Sequence, residues 1–469
     1  MEAIDLGTSL GQEHFGEARL GDKRRTRRLV KVADQIFQHP GGTLPEKLKG
    51  WADLSGLYRL ARRPEVTHGS VLASHRARTL ELMRQTSQVV LVVHDWTELD
   101  FTSKPSLADL GQIGQGGGRG YICHNSLAIT PQRQVIGLAA QVLHKRRCVP
   151  KGETPAQKRQ HPQRESRLWL AGCQQVGAAP PGKLWVDICD RGSDTFEFLS
   201  YEIANQRHFV IRCARDRNLA GEDHVGEDQI YHKLHAYVRN LPDLGRRSVQ
   251  VPATTLAGKK ISPRIAEVRI AAGPVTLSPP HFARGEHQND RPLDLWAVHV
   301  REIDPPAGIQ PLEWLLLCDL PADTFEAACQ KVDWYECRPT VEDYHKGMKT
   351  GIGIEGLCFQ YEARLEPVIA LLSVVTAVLL QLRQAARERD ADLRPASDIV
   401  PPLYVKVLSG WRYKEHRPDL SVKEFSLALA RLGGHLNRKH DGLPGWLTLW
   451  RGWQELRTMV QGVEAMRCV

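Results

Sequence analysis

Val89-Val90-Leu91-Val92-Val93 is an unbroken aliphatic run, mostly β-branched, and Asp95 follows it closely. A strand with one wet face would alternate; this one needs cover on both faces, which a sheet flanked by helices supplies. Leu184-Trp185-Val186-Asp187-Ile188-Cys189 reads as a second such strand, ended by Asp190-Arg191-Gly192-Ser193-Asp194, with a helix starting near Thr195. His208 to Cys213 reads as another. Between the first two, a glycine-rich loop from Gly111 to Gly120 precedes strand-like runs at Ser126 to Thr130 and Val135 to Val142, joined by Pro131-Gln132-Arg133 as a hairpin turn. The basic stretch Lys151 to Gln175 is expected to hold the next helix. Strand, hairpin, helix, strand, helix, strand describes an α/β core with a mixed sheet.

With 469 residues, 42% hydrophobic and 25% charged, the chain has room for two to four domains, and its composition excludes disorder or a small disulfide scaffold. The longest apolar run, Val368 to Leu380, is interrupted by Ser373 and Thr376. It falls short of the roughly 20 residues of a membrane span, so it is expected to be a buried helix. Met1-Glu2-Ala3-Ile4-Asp5 carries acids where a signal peptide would be basic, which predicts a cytoplasmic protein with no membrane partner. Ten cysteines, spread from Cys123 to Cys468 without a C-x-x-C pair, suit a reducing compartment. His224, His232 and His235 lack a cysteine knuckle and read as surface or core histidines rather than zinc ligands.

Residues 1–85 read as a small helical domain. Residues 86–362 read as the α/β core, with short alternating strands such as Ile265 to Ile270 and Leu295 to Val300 forming a β-rich insertion at about 214–321. Residues 363–469 read as helical, with Trp446, Trp450 and Trp453 at helical spacing as a packed or oligomerising face. The formal charge of +9 suggests an anionic partner. Its densest expression is Lys23-Arg24-Arg25-Thr26-Arg27-Arg28 behind Asp22, a residue suited to cap a helix. In that helix Leu29, Val32, Ala33 and Ile36 share one face, while Arg24, Arg28 and Lys31 share another. The cationic face is either a solvated surface or a phosphate contact.

Asp95 and Asp190 close adjacent-looking strands, where α/β sheets hold ligands and metals; each could equally be a turn former. Asp187 and Asp100 are nearby alternatives. A third element is Tyr335-Glu336-Cys337-Arg338-Pro339-Thr340-Val341-Glu342-Asp343-Tyr344-His345-Lys346-Gly347-Met348-Lys349. Pro339 suits the first turn of a helix, in which Glu342 and Lys349, seven apart, would share one face. A surface helix with a Glu to Lys ladder would look the same.

Tyr335, Arg338, Glu342 and Lys349 reproduce the Y-x2-R-x3-E-x6-K signature of the insertion-sequence-four family of bacterial cut-and-paste transposases, and the chain resembles that family from about residue 10 to about residue 460. Leu20-Gly21-Asp22-Lys23-Arg24-Arg25-Thr26, Cys189-Asp190-Arg191, Pro311-Leu312-Glu313-Trp314-Leu315-Leu316-Leu317, Ala430-Arg431-Leu432-Gly433-Gly434 and Trp450-Arg451-Gly452-Trp453 also correspond. The resemblance implies a ribonuclease-H-like core with Asp95, Asp190 and Glu342 as a D-D-E triad holding two Mg²⁺ ions, with Mn²⁺ as substitute. Two ions about 4 Å apart can activate the nucleophile and neutralise the leaving oxygen of a phosphodiester, and hard Mg²⁺ needs only oxygen ligands.

The implied reaction is cleavage at transposon ends through a hairpin, then joining of 3′ ends to target DNA. Tyr335, Arg338 and Lys349 would grip phosphates near the cut, with His345, Lys346 and Arg212 as further DNA contacts. Trp314 would stack on a flipped base, or else be a buried strand tryptophan. Arg24, Arg25 and Arg28 would bind the ends through residues 1–85, and residues 363–469 would dimerise the synaptic complex. Pro339 stands where the family often has tryptophan, which puts a second aromatic contact in doubt. A catalytically silent end-binding regulator and a Mg²⁺ nuclease without strand transfer are the competing readings.

Overall fold

The computed structural model describes residues 9–87, 89–221, 230–251, 254–256, 259–280, 291–385, 391–398, 400–438 and 444–467; His224, of the histidine group noted above, and Cys468 lie outside them. Five helices come first, α1 (Leu10–Phe15), α2 (Lys23–Gln38), α3 (Leu44–Leu48), α4 (Trp51–Ala61) and α5 (His68–Gln85). Strands β1 (Val90–Asp100), β2 (Gly111–Ile113), β3 (Gly118–Ile129) and β4 (Val135–His144) follow, then α6 (Pro155–Gln160) and α7 (Leu168–Val176). The chain continues through β5 (Trp185–Cys189), α8 (Phe196–Ala204), β6 (His208–Arg212) and α9 (Leu234–Arg239). Next come β7 (Asp243–Val251), β8 (Thr254–Leu256), β9 (Lys259–Ile261), β10 (Arg264–Leu277), β11 (Leu293–Glu302) and β12 (Glu313–Cys318). Helices α10 (Phe325–Tyr335), α11 (Pro339–Lys346), α12 (Glu362–Ala385), α13 (Pro402–Tyr413), α14 (Val422–Leu432) and α15 (Trp446–Arg467) complete it.

Two compact units are each assembled from separated segments: Met1–Gln85, Trp96–Cys148 and Thr340–Val469 form the first, Thr86–Asp95 and Val149–Pro339 the second. In the second unit the start of β1 runs parallel to β5, Val90 opposite Trp185 through His94 opposite Cys189. Strand β5 is parallel to β6, and β6 is antiparallel to β12. Strands β11, β10 and β7 continue the ladder antiparallel. Strands β7, β10, β11 and β12 of the β-rich segment therefore extend the core sheet, while β8 and β9 form a separate two-stranded sheet. The extending strands are also longer than the sequence suggested: β10 passes through Gly273 and Pro274, which look like a break. Pairing with β7 ends at Ala271, so Pro274 lies where that side of the strand has no ladder to lose.

In the first unit β2, β3 and β4 are antiparallel neighbours, and β3 meets the end of β1, where Phe101 N–H donates to the Arg119 carbonyl at 2.9 Å. Read through β1, the strand order β4-β3-β1-β5-β6, with a meander followed by parallel crossovers, is compatible with a ribonuclease-H-like core. This is the mixed α/β architecture expected from the sequence.

Asp22 caps α2, its carboxylate accepting from Arg24 N–H at 2.8 Å, and Leu29, Val32, Ala33, Ile36 and Phe37 are buried along one face. Helix α12 is longer than the apolar run that announced it. Glu362–Gln381 is apolar and long enough to cross a membrane, but 83% of that window is buried inside the protein, the environment of a core helix. Near the end, Trp450 and Trp453 are buried and Trp453 stacks on Tyr404, ring centroids 5.3 Å apart, within a core that includes Leu408, Leu420 and Leu456.

Candidate active site

Parallel pairing sets the first two carboxylates. His94 and Cys189 are register partners, so Asp95 and Asp190 come next on neighbouring strands, and strands in a sheet lie about 4.8 Å apart. Asp95 is buried within β1, which runs on to Asp100 and does not end at Asp95 as the sequence suggested. Asp190 is half-exposed and caps a single 3₁₀ turn, Arg191–Ser193, its Oδ1 accepting from Gly192 N–H at 2.9 Å. A Cβ on Gly192 would sit 2.5 Å from the Trp169 ring, so glycine is what lets this turn form.

Arg338 draws the pair together. Its Nη2 donates to Asp95 Oδ2 at 3.0 Å and lies 3.8 Å from Asp190 Oδ2. Around it, Tyr335 is buried and meets Trp314 edge-on, centroids 5.6 Å apart. Burial pushes the Tyr335 hydroxyl up, opposed by the charges of Arg212 and Arg338. Arg212 donates to the Glu313 carbonyl at 3.3 Å and feels the charges of Arg191 and Arg338. Trp314 is half-buried on β12.

The alternative acids are committed elsewhere. Asp100 Oδ1 closes a turn, accepting from Thr102 N–H at 2.8 Å and from its hydroxyl at 2.5 Å. Asp187 is buried beneath the aspartate pair, accepting from His94 Nε2 at 2.9 Å and from Arg207 Nε and Nη2 at 2.9 and 2.6 Å. Burial alone would raise its carboxyl, but Arg207 and His94 outweigh it and hold it at about 2. Glu202 and the Cys173 thiol, both buried beside it, are pushed up by that burial. His94, Cys173 and Asp187 bring ligand atoms within 4.8 Å of one another. That carboxylate is already saturated by hydrogen bonds, and its charge is balanced by Arg207, so the cluster is a satisfied ionic core.

The remaining signature residues lie in the first unit. Glu342 is exposed in the first turn of α11. Beyond Lys346 the helix passes into a π turn, Gly347–Gly351, so Glu342 and Lys349 do not share the regular helical face their spacing implied. Lys349 Nζ pairs with Glu355 at 3.4 Å, and Glu355 also accepts from Asp100 N–H at 3.0 Å. Lys346 is exposed, 4.0 Å from Asp343. His345 is buried, its Nε2 3.0 Å from Asn125 Nδ2, and so is turned inward and not toward a phosphate in solvent.

Helix α2 sorts its cations in two. Arg25 pairs with Glu65 at 2.9 Å and donates to the Leu20 carbonyl. Arg28 and Lys31 each reach Asp53 Oδ1 at 2.8 Å, while Gln35 takes Oδ2 at 2.7 Å. Lys23, Arg24 and Arg27 are exposed, and their side chains have no partner among the described residues. Sequence reasoning gave Arg25 and Arg28 the same role as Arg24 because Glu65 and Asp53 are remote in the chain. It also passed over Asn125, although Cys123-His124-Asn125-Ser126 puts polar residues into a wholly buried stretch of β3, a visible signal.

The segment that carries these cations has known relatives. Residues 9–66, spanning α1 to α4, match the family described as Transposase DNA-binding, a likeness that ends before β1 and supports reading the chain as a DNA-binding transposase.

Proposed function

We propose that this chain is a DNA transposase of the insertion-sequence-four family that cuts transposon ends and joins their 3′ ends to target DNA. The observation that carries the reading is the convergence of Asp95 and Asp190 on Arg338, a residue of the signature segment, in a chain whose N-terminal part matches transposase DNA-binding domains. Exposed Lys23, Arg24 and Arg27 offer phosphate contacts for end binding.

The donor set fits Mg²⁺, for which Mn²⁺ could substitute: Asp95, Asp190 and Glu342 are hard oxygen donors, and the first two already gather about one cationic group. Bound there, the metal would supply Lewis-acid polarisation of the phosphate and a more acidic water or 3′-hydroxyl. Arg338 holds the two aspartates in place and offers its guanidinium to a phosphate oxygen. Tyr335, supported by Trp314 and flanked by Arg212, presents a hydroxyl to the same strand, and Lys349 adds charge. A hairpin intermediate, base stacking on Trp314 and a synaptic homodimer built through residues 363–469 complete the proposal.

The test is incubation with Mg²⁺ and a labelled duplex carrying the inverted repeats that flank the protein's own gene. Wild type should give hairpin-ended or joined products, while Glu342→Ala binds the duplex equally and leaves it uncut. A duplex shifted but uncut by both proteins would instead favour a silent end-binding regulator.

A further inference from the structure

A buried chain of hydrogen bonds in the first unit starts at His68, the first residue of α5, just past the matched DNA-binding segment, and ends on the helix that carries Glu342. His68 Nε2 lies 2.9 Å from Gln141 Oε1 on β4. Gln141 Nε2 donates to Asn125 Oδ1 on β3 at 2.7 Å and to the Ser373 hydroxyl on α12 at 3.0 Å. Asn125 Nδ2 donates to the Cys123 carbonyl at 3.1 Å and lies 3.0 Å from His345 Nε2 on α11. Beside His345, Tyr344 donates to the Ser373 carbonyl at 3.2 Å. Gln141, Asn125, Ser373 and Tyr344 are fully or almost fully buried.

The chain has one direction. Both amides spend their oxygen on the incoming donor and their NH₂ on the next acceptor, so His68 enters as an Nε2–H donor and His345 receives through an unprotonated Nε2. Burial lowers the His68 pKa, consistent with a neutral ring. Reversing either amide would oppose two donors or two acceptors at buried positions, which costs about 1 to 3 kcal/mol for each orphaned group. Rotation of α11 about its axis is therefore resisted by a polar lock, in addition to apolar packing. Glu342 lies one turn before His345 on that helix.

We infer that His345 is a positioning residue: through Asn125 and Gln141 it fixes the rotation of α11 and thereby the presentation of the Glu342 carboxylate. This rests on the proposal that Glu342 is a metal-binding catalytic acid. It assigns His345 a role different from phosphate contact, and the two roles predict opposite results.

The experiment uses full-length protein, the labelled end duplex, and His345→Leu beside His345→Gln, whose side-chain oxygen can take the Asn125 hydrogen bond. For His345→Leu, half-maximal cleavage should need on the order of tenfold more Mg²⁺, as when groups behind a metal ligand are removed. End affinity and its salt dependence should stay as in wild type, and His345→Gln should restore the Mg²⁺ response. Asn125→Ser, remote from DNA in either reading, should reproduce the shift if His345→Leu melts below the assay temperature. An unchanged Mg²⁺ requirement in both would overturn the inference. So would weaker binding with a salt slope shallower by about 0.9, the mark of a lost phosphate contact. Failure of wild type to cut the duplex at all would bring down the functional reading first, and is recognised from that control alone.

Discussion

Two charged clusters in this protein use the same residue types to different ends. Beneath the aspartate pair, Asp187, Arg207 and His94 are sealed from water, and every bond of the carboxylate is made inside. On α2, Arg28 and Lys31 meet Asp53 at the surface, while Lys23, Arg24 and Arg27 beside them remain exposed. The interior cluster acts as scaffold and has no charge to spare. The surface cluster ties down Arg25, Arg28 and Lys31 and leaves the side chains of Lys23, Arg24 and Arg27 without a partner among the described residues. Position in the fold, more than residue type, separates a structural charge from a functional one.

The contrast can be broken at several points. Asp187→Asn should have the largest effect, costing about 3 to 5 kcal/mol because buried Arg207 loses its hydrogen-bonded counter-ion and is left with Glu202, 3.5 Å away and pushed toward its neutral form by burial. Urea unfolding would measure it, and a loss below about 1 kcal/mol would mean the interior pair is no scaffold. Asp53→Asn should cost less, about 1 kcal/mol, and the deficit should shrink in high salt. Its folded-state pKa is lowered, first by the Lys31 and Gln35 hydrogen bonds, from the ordinary 3.8. The contribution is therefore complete above that value and fades as pH falls through the folded one. Wild type and variant should converge in strong acid; a gap that persists there would point to packing instead.

Arg24→Ala and Arg27→Ala should change stability least, within about 0.5 kcal/mol. Each should nevertheless make the salt dependence of end binding shallower by about 0.9. Arg28→Ala, by contrast, should move stability more than the salt slope. Equal slopes for all three would erase the distinction between tied and untied cations.

The sequence made some of this readable for specific reasons. The run before Asp95 and the repeat before Asp190 announce buried parallel strands, and the in-register pairing of those strands then places the two acids side by side. The amphipathic pattern of α2 was equally plain, since helical periodicity is local. The commitment of Asp187 and Asp53 was hidden, because Arg207 and Arg28 are found only by folding. The seven-residue spacing of Glu342 and Lys349 assumes 3.6 residues per turn, and the π turn at Gly347–Gly351 departs from it. For His345, residue type suggested a surface contact, yet its partner Asn125 is 220 positions away.

The discontinuity of the first unit has a consequence for how the protein is made. Helix α5, complete at Gln85, packs against α12, which begins at Glu362. At about 5 to 20 residues per second, the ribosome leaves the early helices waiting on the order of 10 to 60 seconds for that partner. Until then the apolar side of α5 has no native cover from α12, and the unit that contains the DNA-binding segment is the last to close. Quality control during synthesis would therefore act on the five N-terminal helices, even though they are the first to emerge.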